Sequence, residues 1–471
     1  MTNSGRDGTG GKAYKIVVLL PDVEAEILST PSIREPDKSR EASEPQELAI
    51  LISTSGTTGY PKAAIVSWAK IIRSAEFISS IMSLRTSDRY YSCMPLYHST
   101  AALLGFGCVL VSGSSYVIGR RFSSRTYWED VRRHDATVIQ YVGETCRYLL
   151  AASPQHDIAT GKNLDKKHNV RLAFGNGLRP DIWQRFKDRF GIETILEFYG
   201  ATEAPVGVWN LSRNKSSLAA VGRNGSLGTL LLSRRLACVE VDWSIEEPLR
   251  DKSTGFCKKT KSGMSGELIA ALDPANTQLT YQGYHGNRTS TDSKILRDVF
   301  QKGDVYFRTG DVLRWDGEGR FFFVDRIGDT FRWKAENVST NEVSEAFGVV
   351  PEIIETNVYG VQIPHHDGRA GCAAIQLDAS LSDERAEMAI RDAAKSISQR
   401  LQKHAVPLFL RVVPQHERTG TNKQTKARFR DAGVDPRKLA QGESLWWLRK
   451  AEYVPFTPKD WNGLQEAAVK L

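Results

Sequence analysis

Short apolar runs alternate with amphipathic stretches along most of this chain, and the alternation predicts strands and helices in turn. The runs from Thr137 to Val142, Val170 to Phe174 and Thr194 to Phe198 predict strands. Between two of them, apolar side chains recur at helical spacing from Asp181 to Phe190. Strands that alternate with helices are typical of parallel sheets, so we predict the α/β class.

Nearer the N-terminus the same pattern predicts a strand, a loop and a helix. The apolar run that starts at Leu48 ends in a loop of Ser, Thr and Gly, and a helical pattern follows from Ser67 to Ser80. Residues 1–12 and Ser29 to Gln46 are polar or rich in Pro and Gly, so we predict loop or linker there. The segment from Tyr14 to Leu20 is a short apolar run.

The pattern changes near Gly310, where two strand-like runs flank the turn-forming residues from Asp316 to Gly319. Beyond them, Asp383 to Lys403 predicts one long amphipathic helix. We therefore predict three parts: a short N-terminal segment at 1–46, a large domain at 47–327 and a smaller α+β domain at 328–471. The 471 residues exceed the roughly 250–300 that one hydrophobic core supports, which also favours more than one domain.

Composition excludes few classes of function. The chain carries a formal charge of +8, which would attract nucleotides, coenzyme A (CoA), anionic lipid surfaces or nucleic acid. The basic residues are spread along the sequence and form no zinc-finger, RNA-binding or basic-zipper pattern, so we predict no nucleic-acid partner.

Six cysteines never occur at C-x-x-C spacing, so the sequence predicts neither a zinc site nor a disulfide framework, and it favours a reducing, intracellular compartment. The most apolar stretch, Ala101 to Val111, is shorter than a membrane span, and we expect no signal peptide or transmembrane helix. The C-terminal Val469-Lys470-Leu471 has two interpretations, a variant of the S-K-L peroxisomal address or an ordinary terminus. Without the address, the cytoplasm or the surface of an internal membrane is expected.

One loop has the composition of a phosphate site. It consists of Thr54, Ser55, Gly56, Thr57, Thr58, Gly59, Tyr60, Pro61 and Lys62. Its glycines let the backbone approach an anion, its hydroxyls donate hydrogen bonds and Lys62 adds positive charge. The spacing differs from G-x-x-x-x-G-K-[ST], and Pro61 lacks an N–H, so a P-loop nucleotide switch is disfavoured. Taken alone, the loop is also compatible with a plain Ser/Thr turn.

Five segments in order resemble the motifs of the acyl-adenylate-forming, or AMP-binding, superfamily. They are TSGTTGYPK at 54–62, FYGATE at 198–203, FRTGD at 307–311, DR at 325–326 and TGTNK at 419–423. Four longer segments are similar to the fatty-acid transport protein/very-long-chain acyl-CoA synthetase family. These are MPLYHST at 94–100, FGNGLRPDIW at 174–183, EFYGATE at 197–203 and DRIGDTFRWKAENVSTNEV at 325–343.

The resemblance implies a large adenylation domain and a smaller, mobile α+β lid that joins it near Gly328. It also implies an ATP-dependent acyl-CoA ligase that activates a long-chain or very-long-chain fatty acid, or a related secondary-metabolite acid, as acyl-AMP. The expected partners are ATP, Mg²⁺, CoA and the carboxylic acid, with peripheral membrane association open and the oligomeric state undetermined. Adenylation brings anions together, and hydroxyl donors and cations stabilise them.

Residue roles follow from the same resemblance. The loop at 54–62 would hold the departing phosphates, Thr202 would donate to the α-phosphate, Glu203 would bind Mg²⁺ and Lys423 would bridge the carboxylate and phosphate from the lid. The expected nucleotide-binding residues are Gly175, Asn176, Gly177, Tyr199, Asp311 and Arg326. The expected acyl-pocket residues are His98, Gly200 and Ala204. His98 taken alone is also compatible with a buried structural histidine.

The sequence departs from the family in three places. Only 53 residues precede Thr54, where the family carries a longer segment. Ala204-Pro205 replaces the usual Gly-Asn, and Ala335 replaces a glycine on the lid loop that faces the CoA thiol. The short N-terminus favours an alternative, a catalytically silent paralogue that binds lipid or assists transport. The retained Lys423, Glu203 and Asp311 argue against it.

Overall fold

A computed structural model describes residues 3–5, 14–16, 20–34, 36, 44–54, 61–232, 235–334, 336–417 and 426–466. The chain divides into two compact units, Met1–Glu44 and Pro45–Leu471. The predicted boundaries at residues 46 and 328 stay predictions.

The described residues of the first unit form two short strands and one helix, β1 (Asn3–Gly5), β2 (Tyr14–Ile16) and α1 (Pro21–Ser29). The strands pair antiparallel. Pro21 occupies the first turn of α1, where its missing N–H has no intrahelical partner to lose. The prediction of loop throughout residues 1–12 is wrong at β1, and the sequence pattern did not predict α1.

The second unit begins with a hairpin and an α/β layer. Its elements are β3 (Leu48–Thr54), β4 (Lys62–Ser67), α2 (Trp68–Met82), β5 (Arg89–Ser92), α3 (Ser99–Ala101), a π-helical turn (Ala102–Gly107), α4 (Cys108–Ser112), β6 (Ser115–Ile118), α5 (Tyr127–Arg133), β7 (Val138–Val142), α6 (Gly143–Ala151), β8 (Leu172–Asn176), α7 (Pro180–Phe190), β9 (Thr194–Gly200) and β10 (Gly207–Ser212). The predicted strand and helix near Leu48 are confirmed as β3 and α2, whereas β4 was not predicted and the loop before it lies mostly outside the described residues. Among the described residues, no helix combines the length and the apolar character that crossing a bilayer requires.

Strands β5 to β10 form one sheet in the order β10-β9-β8-β7-β5-β6. Every neighbouring pair is parallel except β9 and β10. All five residues of β7 are buried, as expected for a parallel strand covered by helices on both faces. The three strands and the helix predicted between Thr137 and Phe198 are confirmed within two residues.

An antiparallel layer follows. Its elements are a 3₁₀ turn (Lys215–Ser217), β11 (Gly222–Arg223), α8 (Gly225–Leu232), β12 (Leu236–Val239), β13 (Val241–Asp242), β14 (Glu247–Pro248), β15 (Ser265–Leu272), a 3₁₀ turn (Thr277–Leu279), α9 (Arg288–Asp292), β16 (Ile295–Arg297), β17 (Val305–Trp315) and β18 (Arg320–Arg326). Six of these strands form a sheet ordered β11-β18-β17-β15-β12, with β16 also on β17. The predicted hairpin is confirmed, and Gly319 adopts φ +72° in its turn.

The C-terminal part has its own sheet and core. Its elements are a 3₁₀ turn (Ile327–Asp329), β19 (Phe331–Trp333), β20 (Glu336–Val338), α10 (Thr340–Phe347), β21 (Ile353–Val361), β22 (Ala370–Leu377), α11 (Asp383–Ser398), β23 (Phe409–Val412), α12 (Ala427–Ala432), a 3₁₀ turn (Pro436–Lys438), β24 (Ser444–Arg449), β25 (Glu452–Pro455) and α13 (Pro458–Gln465). Strands β21 to β25 form one sheet in chain order. A single apolar cluster that begins at Phe331 and ends at Leu464 packs around it. The long helix predicted from Asp383 is confirmed and ends five residues early.

Candidate functional site

A cavity of about 1380 Å³ opens at the carboxyl ends of the parallel strands. The last residues of β7, β8 and β9 line it, namely Val142, Asn176 and Gly200. Ligands of open parallel sheets bind outside these strand ends, because helix N-termini and loops converge there. Most of the predicted site residues that the structure describes line this one cavity.

The phosphate-loop prediction falls partly outside the described residues. Ser55 to Tyr60, which include the predicted Gly56, Thr57, Thr58 and Gly59, are not described. The two ends of the loop are described: Thr54 closes β3 and pairs with Lys62 at the start of β4. The Thr54 hydroxyl donates to the Lys62 carbonyl over 3.1 Å, and both residues line the cavity.

Thr202 and Glu203 lie in the turn after β9, and other elements hold both side chains. The hydroxyls of Thr202 and Ser99 are 2.9 Å apart. The hydroxyl of Tyr284 donates to Glu203 Oε1 over 2.7 Å. Lys62 Nζ lies 5.6 Å from the centre of the Tyr284 ring, which places the phosphate-loop lysine beside this carboxylate. Charge and hydroxyl donors are thus concentrated at one end of the cavity.

Lys70 also lines the cavity but was not predicted from the sequence as a site residue. This residue lies on the first turn of α2, and its Nζ donates to the carbonyl of Thr202 over 2.6 Å. Burial lowers the pKa of the Lys70 ammonium to about 8, although the negative charge of Glu203 opposes the shift. A helical pattern alone gives no reason to single out one lysine among many, so only the folded structure identifies it.

The predicted adenine-side residues form a close contact between strands. A side chain at Gly175 would meet the Tyr141 carbonyl oxygen at 2.2 Å, and one at Gly143 would meet the Gly177 carbonyl oxygen at 1.6 Å. Gly177 also adopts φ +76°. Beside these glycines, Asn176 Oδ1 is buried and has no hydrogen-bond partner among the described residues. A buried acceptor without a protein donor, on a residue that lines the cavity, is a candidate partner for a donor group of a ligand.

The buried carboxyl of Glu197 holds the backbone that follows β8. Glu197, on β9, accepts hydrogen bonds from the Tyr141 hydroxyl and from the backbone N–H of Leu178, the latter over 3.0 Å. Burial raises the pKa of Glu197 to about 8, against the opposing effect of those hydrogen bonds. Glu197 was part of a recognised motif but was not predicted as a site residue.

Asp311 lies opposite, on β17. The hydroxyl of Tyr199 donates to its Oδ2 over 2.7 Å, and Arg326 Nε lies 3.7 Å from its Oδ1. Burial raises the pKa of Asp311, and the positive charge of Arg326 opposes the shift. Tyr199, Asp311 and Arg326, predicted separately as nucleotide-binding residues, therefore form one connected group.

The predicted acyl-pocket residues His98, Gly200 and Ala204 line the same cavity. Ala204 is 4% exposed and also packs into an apolar cluster with Tyr281 and Phe307. One wall of the cavity is apolar, and its side chains were not predicted from the sequence. They are Phe77, Ile78, Leu103, Leu104 and Trp209. The rings of Phe77 and Trp209 meet edge to face with centroids 4.2 Å apart.

Elements of the C-terminal part reach the rim of the cavity. Arg179, just before α7, donates to the carbonyl of Ser344 on α10 over 3.0 Å. Further along, Arg147 on α6 forms an ion pair with the buried Glu355 over 2.9 Å. Glu345 lines the cavity, and burial raises its pKa to about 7 despite the nearby charge of Arg179.

Lys423 and Ala335 also lie outside the described part of the chain. The role predicted for Lys423, bridging the reacting anions, stays a prediction, and so does the effect of Ala335 on the CoA step. Among the described residues, no group of three or more His, Cys, Asp or Glu side chains could hold a metal ion by itself.

Sequence comparisons find relatives that match most of this chain. The profile of the AMP-binding enzyme family matches residues 6–256. The very long-chain fatty acid transport protein of Cochliobolus heterostrophus is 39% identical over 443 residues, covering 93% of this chain and 66% of its own. Long-chain fatty acid transport protein 2 of Rattus norvegicus is 40% identical over 427 residues, covering 90% and 65%. The chain thus spans slightly less than two thirds of the length of these relatives.

A comparison of structures finds the same fold. ATP-bound MatB from Rhodopseudomonas palustris superimposes with a TM-score of 0.64 at 21% identity, over 83% of this chain and 69% of that one.

Proposed function

This chain belongs to the AMP-binding enzyme family, and from that membership we propose that it is an ATP-dependent acyl-CoA ligase. In the first step it would join the carboxylate of an acid to the α-phosphorus of ATP and release pyrophosphate. In the second step the thiol of CoA would displace AMP and leave the thioester.

One observation carries the proposal: a single cavity is lined both by groups suited to a nucleoside and by groups suited to phosphates. Asp311 and Asn176 supply acceptors, while Thr202 and Lys62 supply a hydroxyl and a positive charge. These residues come from four distant segments of the chain, so their convergence on one cavity is a property of the fold.

The nucleoside end fits ATP in two ways. The buried Oδ1 of Asn176 offers an acceptor to the amino group of a base. Asp311 presents a carboxylate to ribose hydroxyls, and Tyr199 holds that carboxylate in place. Gly177 lines the cavity and carries no side chain that would occupy the space beside the base.

The phosphate end is suited to adenylation. The reaction concentrates negative charge on the phosphate oxygens, and preorganised donors stabilise such charge most in the transition state. The Thr202 hydroxyl and the Lys62 ammonium would act there. By resemblance, Lys423 would approach the reacting carboxylate from the C-terminal part.

The donor set also fits Mg²⁺. Magnesium in nucleotide sites is held by one or two carboxylates together with phosphate oxygens, and Glu203 supplies such a carboxylate. When bound, the ion would neutralise the charge of the leaving pyrophosphate. Tyr284 would keep Glu203 oriented towards the cavity through its hydrogen bond.

We propose a long-chain or very-long-chain fatty acid as the substrate. Two features support this class. One is the apolar cavity wall formed by Phe77, Ile78, Leu103, Leu104 and Trp209, and the other is that the relatives are fatty acid transport proteins by name. His98 would lie at the entrance to this wall. The secondary-metabolite acids considered from the sequence would use the same groups around Thr202.

Product analysis tests both steps. Purified protein is incubated with Mg²⁺, ATP, CoA and acids of 8, 12, 16 and 22 carbons (about the range from medium to very long), and AMP, pyrophosphate and acyl-CoA are quantified. We expect equal amounts of AMP and acyl-CoA thioester, with the highest rates of product formation for the long acids. Acid-dependent AMP without thioester would contradict the CoA step alone. Nucleotide binding without any AMP formation would favour the silent paralogue.

A further inference from the structure

Lys70 connects two parts of the cavity wall that are far apart in sequence. Its Nζ donates to the carbonyl of Thr202 over 2.6 Å, and the two residues are separated by 132 positions. The side chain is half-buried and lines the cavity. Glu203 lies near enough to act on the ammonium electrostatically.

The base of the Lys70 side chain is held rigidly. Its backbone N–H donates to Ser67 Oγ, the N-cap of α2, over 3.3 Å, and its carbonyl accepts from Ser74 Oγ over 2.6 Å. Strand β4 leads directly into α2 and begins at Lys62. The ammonium therefore ties the strand and helix that follow the phosphate loop to the turn after β9.

Four hydrogen bonds hold that turn. The backbone N–H of Ala204 donates to the carbonyl of Ala201 over 3.0 Å. Ser99 contacts the hydroxyl of Thr202, and Lys70 contacts its carbonyl. Tyr284 holds the neighbouring carboxylate of Glu203. Without Lys70, the Thr202 carbonyl would lose its charged donor and the peptide between Thr202 and Glu203 could rotate.

We propose that Lys70 is a positioning residue for adenylation, which fixes the Thr202 carbonyl and thereby aims the Thr202 hydroxyl and the Glu203 carboxylate into the cavity. The inference rests on the proposed function, since it assigns Thr202 and Glu203 to the reaction. A positioning group acts on the transition state more than on substrate binding.

The test compares Lys70→Met with Lys395→Met, which removes an exposed lysine from α11 and serves as the control. Acid-dependent ATP–pyrophosphate exchange is measured with each protein, and thermal unfolding reports on the fold. We expect Lys70→Met to lower kcat about 100-fold, as a misplacement of about 1 Å does. The KM values for ATP and for the acid should stay within about threefold of wild type, and Lys395→Met should match wild type.

A double-mutant cycle shows whether Lys70 acts through Thr202. If it does, Lys70→Met should lower the kcat of a Thr202→Ala protein by only about tenfold, clearly less than the loss of about 100-fold in wild type, because one of the two groups that it positions is gone. Independent roles would multiply the two losses and overturn the proposal. A loss confined to the KM for the acid would also overturn it, because Lys70 would then bind the substrate directly.

Lys70→Arg decides the matter if Lys70→Met does not fold. Arginine keeps the charge but carries a longer, planar donor, so positioning predicts kcat about tenfold below wild type with an unchanged KM. A wild-type kcat in Lys70→Arg would overturn the proposal. Absence of exchange in the wild-type protein would overturn the proposed function and the positioning role with it.

Discussion

The hydroxyl of Tyr199 lies 2.7 Å from Oδ2 of Asp311 and joins two motifs that are 112 residues apart. Tyr199 lies on β9 of the parallel sheet, one residue before the end of that strand. Asp311 lies on β17 of the antiparallel sheet. The hydrogen bond therefore ties the two sheets together at the nucleoside end of the cavity. It also fixes the carboxylate that we assign to the ribose.

Tyr199→Phe is expected to weaken ATP binding while leaving the fold intact. The substitution removes only the hydroxyl, and a hydrogen bond to a charged group contributes about 1.5–3 kcal/mol. Part of this energy holds the Asp311 carboxylate in the orientation that binds ATP. Its loss should therefore raise the KM for ATP roughly tenfold in the exchange assay.

Tyr453→Phe provides the matched control. The Tyr453 hydroxyl donates to the carbonyl of Pro407 over 2.7 Å, in the buried C-terminal sheet and away from the cavity. This variant should lose stability by about 1 kcal/mol and keep the wild-type KM for ATP. An equal rise of KM in both variants would show that Tyr199 has no specific role.

Gly175→Ala is expected to disrupt the nucleoside side. A β-carbon at this position would lie 2.2 Å from the Tyr141 carbonyl oxygen, so strands β7 and β8 would have to move apart. Such overpacking costs about 1–3 kcal/mol. Thermal unfolding should show this loss together with weaker AMP binding by calorimetry. Gly317→Ala, in the hairpin turn where the nearest atom is 3.9 Å away, should change neither property.

The sequence predicted β7, β8, β9 and α7, because buried strands are short apolar runs and the helices between them are amphipathic, but it did not predict β5 and β6 of the same sheet. The β1 strand and α1 were not predicted, because residues 1–30 carry no periodic apolar pattern. Motifs identified Thr202, Glu203 and Asp311 as site residues. Lys70 and Glu197 act through hydrogen bonds to Thr202 and Leu178, which only the fold brings within reach. No local sequence pattern records such pairs.

Arg147→Met is expected to destabilise the contact between α6 and β21. Arg147 is 8% exposed and Glu355 3%, so removal of the guanidinium would take the ion pair with Arg147 away from a buried carboxylate, which keeps the hydrogen bond from the Tyr148 hydroxyl. Breaking one side of a buried pair costs about 3–5 kcal/mol. Urea unfolding should show that loss. Arg147→Met combined with Glu355→Gln should recover part of it, because no buried charge remains at position 355. No recovery would contradict this explanation.

Glu197 predicts a pH dependence of stability. Burial raises its pKa from 4.5 to about 8, so the folded protein holds this proton over a range in which the unfolded chain has lost it. The free energy of unfolding should therefore fall as the pH rises from 4.5 to about 8, by up to about 1.4 kcal/mol per pH unit from this group. Above that window the contribution should level off.

Urea unfolding of wild type and Glu197→Gln at pH 5, 6, 7 and 8 isolates the contribution (about one unit between points). Other titrating groups, such as Glu345 with its raised pKa, are common to both proteins and cancel in the difference. The stability of Glu197→Gln relative to wild type should increase across this range. A constant difference would show that Glu197 is ionised throughout.

Acid-dependent exchange of pyrophosphate into ATP tests adenylation most directly. The measurement uses wild type, Asp311→Asn and the control Lys395→Met, with a long-chain acid and without any acid. If the protein forms acyl-AMP, exchange should occur only when the acid is present, at equal rates in wild type and Lys395→Met. In Asp311→Asn the KM for ATP should rise at least about tenfold. Folded wild-type protein that binds ATP but shows no exchange with any acid would contradict the account.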